Sequence, residues 1–397
     1  MASVEKRGTS YRITASAGYD SKGKQIRKTM TWVPDPTLTE KQLEKELERQ
    51  KVLFEEKVKK GQYVDGNIKF KDFAELWFKD YGEEHLRERT YLRYKELSKR
   101  TYDAIGHIRL CKLQPRHLIE FFKQLAEVGQ NKRTGGGLSP KTIKHYHTFI
   151  SSVLERAVKW GIITDNPIRR TDAPKVDKKQ IEFLDDKQAV IFMKALEDEP
   201  LEYQAIFSLL LLTGMRRGEL LGLEWPDIDF DNNKIYIRRT SQYAPGSGIF
   251  TDTTKTEQSK RQLSIPPELS ELLRRYRAEQ AETILLLGDR WSSDWSNHPR
   301  LFTQFYGQPM HPNAPYQKFQ KILKRVGLPH VSLHSLRHTN ATLLIQSGAD
   351  IRTVSGRLGH SQTSTTLNIY AEYLQSADQA ASEVIADKLL FNREKKI

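Results

Sequence analysis

The chain has 397 residues, 38% of them hydrophobic, which is enough for packed cores and too many for one compact domain. Lys and Arg number 64 against 50 acids, so the net charge of +14 calls for a polyanionic partner. No apolar run reaches the ~18 residues of a membrane span, the first residues lack a secretory pattern, and a single cysteine, Cys111, excludes an intramolecular disulfide, argues against a structural zinc site and fits a reducing cytoplasm.

In chain order, residues 10–16 alternate as a half-buried strand, a turn follows at Asp20-Ser21-Lys22-Gly23, and a second strand runs over 25–33. Residues 1–33 hold seven basic side chains (Lys6, Arg7, Arg12, Lys22, Lys24, Arg27, Lys28) against Glu5 and Asp20, and the two strands are expected to gather Arg12, Arg27 and Lys28. Thr39 with Gln42 reads as a capping box opening a helix whose stripe is Leu43, Leu47, Phe54 and Val58. Residues 68–170 read as all helical, with helices over 70–81, 90–102 and 115–128, and one opened by Ser139-Pro140. The polar, proline-bearing stretch 169–181 reads as a linker. Residues 183–397 begin with helices over 185–197, 201–213 and 218–223. Short strands near 228–230 and 234–239 and a hairpin over 251–265 follow, and the rest is mainly helical, with 281–315 irregular. The fold class is therefore multidomain α+β: a small three-stranded sheet plus helix, an all-helical domain, and a mixed, mainly α domain with short β-hairpins.

Four segments of the last domain carry chemistry. In Thr213-Gly214-Met215-Arg216-Arg217-Gly218-Glu219-Leu220 an apolar helix breaks at Gly214 and another starts at once, which leaves Arg216 beside outward-pointing N–H groups that suit an anion. A helix corner with a surface arginine would look the same. In His334-Ser335-Leu336-Arg337-His338, helical spacing places His334 and Arg337 on one face and leaves His338 off it. A cation and an imidazole there can hold a phosphate and move a proton, though solvated helix faces also read this way. Leu358-Gly359-His360 ends a helix capped by Asp350, and Tyr370 follows ten residues on, one tyrosine among 16. Lys255 sits at the tip of the 251–265 hairpin, where a lysine is more often a solvated charge.

Together, and in this order, the segments resemble the tyrosine recombinase family, or phage-type integrases, and in particular the integrases of conjugative transposons and Gram-positive phages. The family's T-G-x-R-x-x-E-L box, hairpin lysine, H-x-x-R box, L-G-H box and tyrosine are matched by Arg216 with Glu219, Lys255, His334 with Arg337, His360 and Tyr370. Residues 139–167 resemble the end of the family's core-DNA-binding domain, which makes Lys141, Thr142, Lys144 and His145 candidate DNA contacts. The N-terminal hairpin resembles an arm-site-binding domain, which gives Arg12, Lys22, Lys24, Arg27 and Lys28 the same role. The implied domains are 1–62 (arm-type), 68–170 (core-type) and 183–397 (catalytic, with a C-terminal tail).

The resemblance implies a site-specific DNA recombinase acting by transesterification. Tyr370 attacks the scissile phosphate to form a 3′-phosphotyrosyl link, and a 5′-hydroxyl later rejoins the strand by way of a Holliday junction. The link conserves the bond energy, so no ATP, metal or other cofactor is expected. Arg216 and Arg337 would stabilise the phosphate oxygens, Lys255 would protonate the leaving oxygen, His334 and His360 would share proton handling in an order left open, and Glu219 would orient Arg216. Tyr373 is a rival nucleophile. Double-stranded DNA at core and arm sites, a homotetramer on DNA and a directionality factor are the expected partners, and the bacterial nucleoid the expected location. A helical tail over 374–397 would dock on its own domain or on a neighbouring protomer. Two other readings stand: a type IB topoisomerase-like enzyme and a non-catalytic DNA-binding regulator.

Overall fold

The computed structural model describes residues 2–19, 23–59, 67–177, 182–253, 261–292, 299–359 and Leu367. Lys22, Lys255, His360, Tyr370, Tyr373 and the 374–397 tail lie outside the described residues. The chain divides into two compact units, residues 1–178 and 179–397.

The first unit opens with an antiparallel sheet of β1 (Ser3–Arg7), β2 (Ser10–Tyr19) and β3 (Gln25–Trp32), in that order. Ile13 and Ala15 of β2 bury against Phe54 and Val58 of helix α1 (Glu40–Lys59), with Met30 and Trp32 packed alongside. At the head of α1 the Gln42 side chain accepts from the Thr39 backbone N–H at 3.0 Å. Because side chains alternate along a strand, register decides which basic residues share a face. Arg12 stands opposite Glu5 and Thr31, and Arg27 opposite Ser16, all on the side away from Ile13. Lys28 stands opposite Ala15, on the side that carries Ile13. The expected grouping of Arg12, Arg27 and Lys28 is thus corrected, with Lys28 on the opposite face. Lys24, beside the turn, is exposed.

The helical part comprises α2 (Phe70–Trp77), α4 (Glu88–Ile105), α5 (Pro115–Ala126) and α6 (Pro140–Lys159). Between α2 and α4 the expected 70–81 helix widens into a π-helical turn, Phe78–Gly82, and ends in the single turn α3 (Glu83–His85). There Phe78 joins Trp77 in the core, and the Arg156 guanidinium lies 3.6 Å from the Tyr81 ring centroid. Ser139 caps α6, its Oγ accepting from the Thr142 N–H at 3.3 Å. Apolar residues spaced along α6 bury Ile143, Tyr146, Phe149, Ile150, Val153, Leu154 and Ala157. This leaves Lys141, Lys144 and His145 exposed on the opposite side, with Thr142 half-buried.

The second unit begins with α7 (Asp186–Ala195), whose Asp185 cap accepts from the Gln188 N–H at 2.8 Å. Next comes α8 (Leu201–Thr213), apolar on every side and buried for that reason, then the short α9 (Arg217–Leu221). Strands β4 (Ile228–Asp229) and β5 (Lys234–Ile237) pair with each other, β6 (Arg239–Ala244) pairs with β7 (Gly248–Thr253), and β8 (Arg261–Ser264) pairs with β5. The expected 251–265 hairpin is therefore corrected: its two flanks, β7 and β8, belong to different sheets. Helices α10 (Pro267–Leu287), α11 (Asn313–Arg325), α12 (Ser335–Gln346) and α13 (Ile351–Leu358) complete the unit. Phe192, Phe207 and Phe319 meet edge and face at 5.3 to 5.7 Å in its core. Beyond α10 the chain is irregular but tied down. Tyr276 Oη and Gln280 Nε2 donate to the Leu301 carbonyl at 2.8 and 3.0 Å, and buried Arg300 donates to the Gly222 carbonyl at 2.6 Å. Among the described residues no helix is long and apolar enough to cross a membrane.

Phe149 is fully buried, with the rings of Tyr94, Phe78 and Trp77 at 5.2, 5.9 and 6.2 Å. Phe149→Ala leaves a cavity among three aromatics and is expected to cost about 3–5 kcal/mol, read as a lower denaturant midpoint for residues 1–178 with little change in their m-value.

Candidate active site

The site is built where three remote stretches of the second unit converge. Gly214 ends α8 in the left-handed conformation at φ 64°. A Cβ there would lie 2.5 Å from Leu358 Cδ2 and 2.7 Å from Asn340 Oδ1, so both backbone and space require glycine. The reversal leaves Arg216 as the extended residue just before α9.

Arg216 and Glu219 hold each other across one turn. The Glu219 carboxylate accepts from the Arg216 backbone N–H at 2.9 Å and from its Nη1 at 2.7 Å. Arg216 Nη2 donates to the Gly359 carbonyl at 3.0 Å, and 39% of its side chain stays exposed. Glu219 is only 2% exposed. Its second partner was not singled out by motif reading: Arg261, the first residue of β8, donates Nη2 and Nη1 to the two carboxylate oxygens at 2.8 and 3.2 Å. The signal for it was present, since Arg261 shares a strand face with buried Leu263, and a charge on an inward face demands a counter-charge. Burial pushes the Glu219 carboxyl up, and the hydrogen bonds and charges of Arg261 and Arg216 outweigh it, so the group titrates below the usual carboxylate range.

Arg337, on the first turn of α12, is 3% exposed. Its Nη1 donates to the Gly214 carbonyl at 2.8 Å, whereas its buried Nη2 has no hydrogen-bond partner among the described residues. Burial, and then the positive charge of Arg216, push its pKa down to about 9, still cationic at neutral pH. His334 immediately precedes α12. Burial, and then His338, Arg337 and Arg216, lower its pKa to about 4. The ring is therefore neutral at pH 7. His338 is not set apart as its spacing suggested: its ring meets that of His334 edge-on at 5.1 Å.

The third stretch is the end of α13. Asp350 Oδ1 accepts from the Arg352 and Thr353 N–H groups at 3.0 Å. Gly359 then turns left-handed at φ 65°, and a Cβ on it would stand 2.9 Å from Arg261 Nη1. Arg216, Glu219, His334 and Arg337 are thus brought together with Arg261. The Arg12, Lys24, Arg27 and Lys28 set and the Lys141, Thr142, Lys144 and His145 set both belong to the first unit. His145 titrates low, because of partial burial and then the nearby cations Arg93 and Lys141. No group of three His, Cys, Asp or Glu side chains among the described residues is placed to hold a metal ion.

Because the Glu219 carboxyl is depressed below its ordinary 4.5, the stability it contributes is fully present above that pH and is lost as pH falls through the lower folded-state value. Glu219→Gln removes the carboxylate between two arginines and is expected to cost about 3–5 kcal/mol at pH 7. Denaturant titrations at several pH values should show this gap narrowing as the pH falls below 4.5, where the carboxyl of the unfolded chain takes up its proton while that of the folded chain still resists it.

The model of the phage integrase family matches residues 182–376, and that of the phage integrase N-terminal SAM-like domain matches residues 69–126. A tyrosine recombinase XerC-like protein of Caldanaerobacter subterraneus is 29% identical over 95% of this chain and 96% of its own length. The ICEBs1 integrase of Bacillus subtilis is 26% identical over 96% of this chain and 97% of its own. Among solved structures, the Tn1549 transposon integrase in complex with transposon right end DNA aligns with a TM-score of 0.64 at 22% identity, covering 80% of this chain and 99% of that one. A lambda integrase tetramer bound to a Holliday junction aligns at 0.52 and 16% identity, covering 91% and 96%. The chain belongs to the phage integrase family of tyrosine recombinases.

Proposed function

We propose that this protein is the integrase of a mobile element, cutting and rejoining DNA at specific sites through a phosphotyrosyl link. The observation that carries the reading is the charge balance of the site. Three guanidinium groups, Arg216, Arg261 and Arg337, surround the single carboxylate of Glu219, and a buried N–H of Arg337 has no partner among the described residues. A buried cationic donor without an acceptor is costly unless a ligand completes it. A phosphodiester supplies the missing negative charge, with oxygens that suit planar guanidinium forks.

In this reading Tyr370 Oη attacks the phosphorus and the bond to the 5′ oxygen breaks. Lys255 gives the departing oxygen its proton, and the tyrosine proton passes to His334 or His360. The neutral state of His334 at pH 7 fits a proton acceptor. Arg216 and Arg337 balance the charge that grows on the non-bridging oxygens. Residues 1–62 would read arm sites through Arg12, Lys22, Lys24, Arg27 and Lys28, while 68–170 would clasp the core site through Lys141, Thr142, Lys144 and His145. The lambda integrase tetramer on a Holliday junction and the Tn1549 integrase on transposon DNA support double-stranded DNA as substrate and four protomers as the working assembly. Action in the bacterial nucleoid and a separate directionality factor belong to the same proposal.

Tyr370→Phe should bind a nicked duplex drawn from the DNA flanking the gene as the wild type does, yet form no covalent adduct on a denaturing gel, while Tyr373→Phe should keep the adduct. An adduct persisting in Tyr370→Phe would reject the nucleophile, and one absent from the wild type would favour a non-catalytic DNA binder. Arg216→Lys and Arg337→Lys keep the charge but lose the planar fork. Single-turnover cleavage should fall on the order of a hundredfold or more in each, and wild-type rates in both would remove the arginines from the reaction.

A further inference from the structure

Among the described residues of the site, Arg261 ties together elements that lie far apart in the chain. Its side chain is 8% exposed, and its guanidinium serves two elements at once. Nη1 and Nη2 grip both oxygens of Glu219, while Nε donates to the Arg357 carbonyl at 2.8 Å, on the last turn of α13. Gly359 passes so close to Nη1 that a Cβ would reach 2.9 Å. Arg216 in turn donates to the Gly359 carbonyl and to Glu219. Arg261, Glu219, Arg216 and Gly359 therefore form a closed ring of contacts drawn from β8, from α9 with the residue before it, and from the end of α13.

We propose that Arg261 is a positioning residue of the reaction, its fork fixing Glu219 and the end of α13 together and thereby setting where Arg216 stands against the scissile phosphate. The role rests on the recombinase reading given above. Stability alone is a poor reason for such a residue, since replacing a buried ion pair by well-packed apolar side chains is often neutral or stabilising. Fixed direction is a better one. A bidentate guanidinium–carboxylate pair holds both partners in one plane, which a lysine ammonium cannot do while also reaching the Arg357 carbonyl. Nearly covered, Arg261 acts through its partners.

The test uses the full chain and the nicked duplexes described above, with Arg261→Lys and Arg261→Gln, and reads adduct formation under saturating protein, DNA affinity by gel shift, and unfolding temperature. In Arg261→Lys we expect affinity within about twofold of wild type and a rate lower by on the order of tenfold to a hundredfold, as for a reacting group displaced by about an ångström. Glu219 is faced by Arg216 and Arg261, with Arg337 and His334 behind them. Removing the Arg261 charge makes its carboxylate easier to protonate, so in Arg261→Gln the acid limb of the rate profile should move to higher pH, while in Arg261→Lys it should stay. A wild type that yields no adduct takes down the recombinase reading and this role together. A reactive wild type matched in rate by Arg261→Lys overturns the positioning role alone. So does a slowdown that tracks equal losses of affinity and unfolding temperature in both variants with the acid limb unmoved.

Discussion

A single carboxylate, buried between two arginines, organises the catalytic unit. Glu219 has almost no access to water, so it can stay ionised only if cations surround it, and the cations must come from elsewhere in the chain. One is Arg216, a turn away, and the other is Arg261, 42 residues on. Satisfying Glu219 therefore draws β8 to α9, and the Arg261 Nε bond to Arg357 draws α13 to both. Local demands at one side chain become a long-range constraint on three elements.

The same constraint explains why the site is crowded with glycine. Gly214 and Gly359 each adopt a left-handed backbone, and each passes within side-chain reach of a residue from another element. Elements brought this close leave no volume for a Cβ. Arg337 completes the logic from the other side. It donates one N–H to the Gly214 carbonyl, so the same reversal that frees Arg216 also anchors the second arginine. Arg216, Glu219, Arg261 and Arg337 are thus held by contacts within the protein, and a cluster of charge fixed in this way needs little reorganisation to meet an anion.

Much of this was legible in the chain because the motif residues sit beside punctuation. Gly214 and the new helix after it marked Arg216. Helical spacing places Arg337 one turn from His334, and α13 is bracketed by the Asp350 cap at its start and Gly359 at its end. Arg261 carries no local signature because its partner lies far away in sequence, and the one hint is a charge sharing a face with Leu263. The 251–265 stretch resembles a hairpin for a related reason. Both flanks look like strands, and nothing local says that β8 returns to β5 while β7 pairs with β6. Lys28 shows how strict the period of two is, since its neighbour Arg27 lies on the other face of the same strand. The π-helical turn at Phe78–Gly82 departs from ordinary helical spacing within an otherwise regular stripe.

The way β6 and β7 leave and rejoin the sheet has an evolutionary consequence. The pair closes on itself between β5 and β8, whose register is fixed by their own pairing, Lys234 opposite Ser264 through Ile237 opposite Arg261. Its base is pinned where Arg239 meets Asp227 at 2.6 Å and where Arg300 reaches Thr251, while the turn between Ala244 and Gly248 carries neither tie. Insertions or deletions within that turn would leave the β5–β8 pairing that seats Arg261 as it is. Descendants of this chain are therefore expected to vary at residues 245–247 long before they vary at Glu219 or Arg261.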